Sequence, residues 1–164
     1  MSNLAKLAAG AVSFASTSAG FTSSDLTLFN SLASGSCVVA TNAIGQGTNL
    51  DLLAELSIAL TASAATTTTS YIGVYILPLN ADGTTYGDGL ASGSAQTSTP
   101  GPSFYAGVLM PRSGITAVTG SLILPRDLPR RDFKLALAPT LGSALAATAA
   151  ASIQLQTSVL NLNG

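Results

Sequence analysis

Apolar and polar side chains alternate along much of this chain. The clearest run is residues 50–60. Leu50, Leu52, Ala54, Leu56, Ile58 and Leu60 share one parity, while Asp51, Leu53, Glu55, Ser57 and Ala59 share the other. A period of two places the first set on a buried face of a β-strand and the second on a half-exposed face. A helix would scatter Leu50, Leu52 and Ile58 around its axis. Tyr71 to Leu79 is a second strand, rich in β-branched and aromatic residues, and Pro78 ends it or puts it at an edge. Further strands are expected at 36–44, 104–110, 115–124, 133–138, 144–149 and 153–160. About eight strands separated by turns predict an all-β fold, a β-sandwich or jelly roll.

The ends and the middle of the chain break this pattern. Residues 1–24 read as an N-terminal arm: Leu4, Leu7, Ala8 and Ala11 have helical spacing, but Gly10 and the Ser/Thr run at 16–24 weaken it. Leu4, Leu7, Val12 and Phe14 carry most of the arm's apolar area, so they are the candidate contacts with a neighbouring chain. A short helix is expected next, with Asp25 near its start and Leu26, Phe29 and Leu32 on one face. Residues 25–164 then form the sandwich domain. Within it, 80–103 is a long loop built on Asp82-Gly83, Asp88-Gly89 and Pro100-Gly101 turns. A loop of this length in a small domain is usually functional or mobile.

Charge changes the picture. Only 8% of the residues are charged, six basic and seven acidic, against about 25% in ordinary domains. Hydrophobic residues make up 47%, and the mean hydropathy is +0.48. A weakly charged surface associates readily, so two readings stand: a Thr- and Ser-covered free domain, or a surface covered by partners. A homo-oligomer is expected, with a trimer favoured. The apolar stretch near the N-terminus is interrupted by Gly10 and Ser13, and the uncharged stretch after Lys134 is Ala, Thr, Ser, Gln and Asn with Pro139 and Gly142 inside it. Neither is expected to cross a membrane.

Chemistry is mostly excluded by residue type. The chain has no His and one Cys, which removes Ser-His-Asp and Cys-His catalysis, His-containing zinc sites and thiolate clusters. Cys37 lies in an apolar run and is expected to be a buried structural thiol. Asp82 and Asp88 remain open to three readings: turn residues, calcium ligands, or an acid–base pair acting on a glycan. No catalytic residue, cofactor or metal is assigned. Arg126, Arg130, Arg131 and Lys134 hold four of the six basic side chains within nine residues. They form either a solvated loop or an intersubunit contact, since Arg forks pair with carboxylates and carbonyls. Nucleic acid is a poor fit to a net charge of −1 with no aromatic residues between the basic ones.

The stretch Ile76-Leu77-Pro78-Leu79-Asn80-Ala81-Asp82-Gly83-Thr84-Thr85-Tyr86-Gly87-Asp88-Gly89 resembles a segment of small structural proteins of tailed bacteriophages. So do Gly120-Ser121-Leu122-Ile123-Leu124-Pro125, Phe133-Lys134 and Leu141-Gly142-Ser143-Ala144-Leu145. The likeness is to head decoration (cement) proteins of jelly-roll type, over roughly residues 70–146. It implies a trimer on the outside of a capsid, in the virion, clamping neighbouring major capsid proteins against internal DNA pressure. A tail-fibre or receptor-binding module, with the 80–103 loop on a host glycan, is the alternative.

Overall fold

The computed structural model describes residues 13–17, 19–45, 51–87, 89–124, 131–149 and 151–159. The alternating segments become strands β1 (Ser13–Thr17), β2 (Cys37–Val39), β3 (Asp51–Thr61), β4 (Tyr71–Pro78), β5 (Ala95–Gln96), β6 (Tyr105–Leu109), β7 (Ala117–Ile123), β8 (Phe133–Thr140) and β9 (Ser152–Val159). One short helix, α1 (Ser23–Thr27), precedes β2, and a 3-10 turn covers Pro102–Phe104.

The strands form two antiparallel sheets. One has the order β1-β9-β3-β7 and the other β5-β2-β8-β4-β6. With the two-residue β5 set aside, the first strand pairs with the last, the second with the second-last, and so on inward. β1 lies on β9, β2 on β8, β3 on β7 and β4 on β6. One long hairpin rolled into two sheets is the jelly-roll topology, so the chain is an all-β sandwich of that kind.

The period of two is obeyed from Ala54 on, after a register shift between Asp51 and Leu53. In β3, Ala54, Leu56, Ile58 and Leu60 are buried while Glu55 and Ser57 are exposed. They meet Val118 of β7 and Ile153 and Leu155 of β9 in one core with Ile72, Val74 and Ile76 of β4 and Leu135 and Leu137 of β8. Leu50 lies outside the described residues.

Two expectations need correction. Residues 144–149 are not a strand. They form turns with one bridge, Leu145 to Ala62. Their polar backbone is satisfied from elsewhere: Leu145 N donates to Leu32 O, Ala146 N to Thr61 O, and Ala149 N to Asn30 Oδ1. Leu145 and Ala149, four residues apart, both reach the core.

Of the 1–24 segment, residues 13–17 and 19–24 are described. Ser13–Thr17 is the edge strand beside β9, and Ala19 and Phe21 lie in the sandwich core. Helix α1 is shorter than its apolar spacing implies. Phe29 and Leu32 are buried, but they follow the helix rather than extend it, and Phe29 packs on Phe21 with ring centroids 6.0 Å apart.

The 80–103 segment is neither free nor open. Tyr86 and Leu90, with Phe104, pack on Cys37, Val39, Leu77, Ala136 and Ala138, a second apolar cluster on the outer side of the five-stranded sheet. β5 extends that sheet beyond β2. The loop thus covers the sheet from outside, and the central strand β8 is buried on both faces. Alanine at 136 and 138 leaves room for this cover, while Phe133, Leu135 and Leu137 fill the core beneath.

Candidate functional site

The sandwich is asymmetric. Its five-stranded sheet carries its own loop on the outer face. The outer face of the four-stranded sheet has no such cover among the described residues. Three adjacent strands define it. Reading across β7, β3 and β9, the registers bring together Ile123, Glu55 and Gln156; then Ser121, Ser57 and Gln154; then Thr119, Ala59 and Ser152. Of these nine side chains only Ala59 is half-buried, and the rest are exposed. Glu55 is their one charge. Ile123 is 67% exposed.

Such a face is suited to contact. Five of the nine are serine, threonine or alanine, which lose less rotamer freedom when covered than the about 1.5–2 kcal/mol of Lys, Arg, Gln or Glu; Gln154, Gln156 and Glu55 carry that larger cost. Neutral side chains also avoid the several kcal/mol that desolvating an ion costs. A free surface would normally carry mixed charges at these positions.

Among the described residues, Asp82 and Lys134 belong to the covering loop and to the sheet beneath it, away from this face. Asp82 lies in a self-contained turn. Its Oδ1 accepts from Thr84 N and Thr85 N, each at 2.9 Å, and its Oδ2 accepts from the Thr85 hydroxyl. The Thr85 hydroxyl, with these two amides, holds the carboxyl down to about 2. Asn80 braces the same turn through Thr85 Oγ1 and Gly87 O. A carboxylate so engaged is a turn fastener, as the Asp-Gly pair suggested. Asp88 lies outside the described residues. Among the described residues no group of three or more His, Cys, Asp or Glu is placed to hold a metal ion.

Arg126 and Arg130 of the basic cluster lie outside the described residues, as do Leu4, Leu7 and Val12 of the arm. Phe14 is in β1, opposite Ser158. Arg131 and Asp132 are exposed. Lys134 is used within its own chain: Nζ donates to Ser92 Oγ at 2.9 Å and sits 4.8 Å from the centre of the Tyr86 ring. Burial lowers its pKa, and the nearby Asp25 charge partly offsets that. Lys134 therefore fastens the covering loop to β8.

Asp25 is the charged residue whose role the sequence understated. It is 1% exposed. Its Oδ2 accepts from Thr22 N at 2.8 Å and Thr41 N at 3.0 Å, and its Oδ1 from Thr41 Oγ1 at 2.7 Å. Thr22 Oγ1 accepts in turn from Asp25 N, which completes a capping box. Burial raises the carboxyl's pKa, but the bonds from Thr22 and Thr41 together outweigh it, and the pKa lies below the ordinary value. The covering loop passes close to this knot at Gly93, whose φ is +67°. A Cβ there would stand 2.8 Å from Thr41 Oγ1, so only glycine fits.

Cys37 is buried, and its thiol donates to Ser98 O at 3.2 Å, another tie between β2 and the covering loop. Among the described residues no helix is long and apolar enough to cross a membrane. No family model, curated protein or solved structure matches this chain.

Proposed function

We propose that the protein is a structural component of a phage virion. It binds the outside of the capsid and braces neighbouring major capsid proteins, working together with further copies of itself. The observation that carries this reading is the outer face shared by β7, β3 and β9, where nine described side chains carry one charge. The molecule covers its other sheet with its own loop, and among the described residues nothing covers this one. The jelly-roll strand order and the resemblance to decoration proteins support the same reading, although a fold by itself does not determine function.

The rival is a glycan-contacting tail module that uses the 80–103 loop. It fits less well, because Tyr86 and Leu90 are turned inward onto the sheet and Lys134 is spent on Ser92 and Tyr86. Capsids lacking the protein, mixed with the purified chain, test the proposal. Saturable binding that raises the temperature of DNA release is expected. Replacing Ser57 and Gln154 together with Lys should abolish that binding while the fold persists. Binding that is indifferent to those two charges would move the docking surface elsewhere, and no binding at all would refute the reading.

A further inference from the structure

Among the described residues β7 is a sheet edge, and its geometry fixes which groups turn away from β3. Leu124 N donates to Ala54 O, and Ala62 N donates to Thr116 O, each at 2.8 Å. The β3–β7 register runs from Glu55 opposite Ile123 to Thr61 opposite Ala117. Antiparallel ladders alternate hydrogen-bonded and open pairs, so the even-numbered residues of β7 face β3. Ala117, Thr119, Ser121 and Ile123 therefore turn their N–H and C=O groups away from the sheet. No described residue pairs with them.

Edges of this kind invite another strand, and proteins usually guard them with shortness, charge, proline or bulges. The other edges here are guarded. β5 has two residues, β1 has five, and β6 joins β4 through an irregularity and runs into Pro111. β7 has seven residues, no charge, no proline and no register shift.

We propose that β7 pairs with β7 of a second copy of this chain, antiparallel, about a two-fold axis at Gly120. This register sets Thr119 opposite Ser121 of the second copy and Ala117 opposite its Ile123. All four residues offer outward groups, so about eight backbone hydrogen bonds form. The strand carries no charge, so no like charges meet across the axis, as they would for a charged edge. Exposed Ile123 gains cover from Ala117 of the second copy. On the core side, half-buried Leu122 comes opposite Val118 of the second copy. The two four-stranded sheets become one continuous sheet, and the bare outer face doubles in extent. The contact deepens the self-association in the proposed function, but it forms in free solution and does not depend on a capsid.

Sedimentation across a concentration series and amide hydrogen exchange test this together. A monomer–dimer equilibrium is expected. With rising concentration, exchange should slow at Ala117, Thr119, Ser121 and Ile123 and stay unchanged at Val118 and Leu122. Ser121→Pro removes an outward N–H and leaves the β3 ladder intact. It should keep the fold and weaken the dimer roughly tenfold or more, because each copy loses one donor across the axis. If that variant fails to fold, the alternating exchange pattern of the natural chain decides by itself. A monomer at all concentrations overturns the proposal. So does an oligomer of any order whose odd-numbered β7 amides exchange freely, although that result would leave self-association standing. Exchange protection that appears only when capsids are added assigns the edge to a capsid strand instead, and also overturns it.

Discussion

Leu56→Ala is expected to destabilise the fold by about 2–5 kcal/mol. Leu56 is fully buried at the middle of β3, between Leu122 of β7 and Leu155 of β9. Both flanking strands are held to β3 by backbone ladders, so the sandwich has little freedom to collapse into the space left behind. The cost therefore combines lost transfer energy with a residual cavity. The adjacent Ser57→Ala is the control. Its side chain is exposed on the outer face, and the change should stay within about 0.5 kcal/mol. Denaturant unfolding of the two variants measures the difference directly. A smaller effect at Leu56 than at Ser57 would mean that the register of β3 is off by one residue, because a slip of one exchanges the two faces.

Asp25→Ala should cost about 2–4 kcal/mol. The change strips acceptors from Thr22 N, Thr41 N and Thr41 Oγ1 at once and removes half of the capping box. A lost N-cap interaction is worth about 0.5–2 kcal/mol, and a buried donor left unpaired about 1–3. Thr41 is exposed, so water can reach part of the vacated site and holds the total below the simple sum. Asp25→Asn keeps one acceptor and should fall between the variants.

The same residue makes stability depend on pH. Its folded pKa lies below the unfolded value of about 3.9. The folded state thus binds the proton less readily than the unfolded chain. The stabilisation is fully present above the unfolded value and is lost as pH falls through the folded one. Unfolding midpoints measured downward from neutral pH should decline below about pH 4, and Asp25→Asn should flatten part of that decline.

How much of this was legible depends on the element. β3 was plain because Leu56, Ile58 and Leu60 alternate with Glu55 and Ser57, and only a strand sorts them. β8 showed its alternation but hid its second burial. Ala136 and Ala138 read as weak outward positions, and only the folded chain brings Tyr86 and Phe104 near them. β1 was invisible, since Ser13–Thr17 offers a single large apolar residue and takes its place from β9. The Ala-rich 144–149 segment was misread because alanine has no pattern of its own; hydrogen bonds that its amides donate to Asn30, Leu32 and Thr61 decide its course.

The candidate face was the least legible. Ser57, Ser121 and Gln154 each look like ordinary solvent positions, and their shared neutrality appears only once three strands are laid side by side. The Asp25 knot shows the same limit. Asp25 was placed near a helix start, but Thr41 lies sixteen residues further along the chain, and nothing local announces that they meet.

The central claim is that this chain is a building block of a particle rather than a free agent. The most direct measurement is its copy number in purified phage particles, read as band intensity against the major capsid protein on one gel. The account predicts a band comparable to that of the capsid protein. Presence in only a few copies per particle, as for a tail module, or absence from the particle altogether, would contradict it.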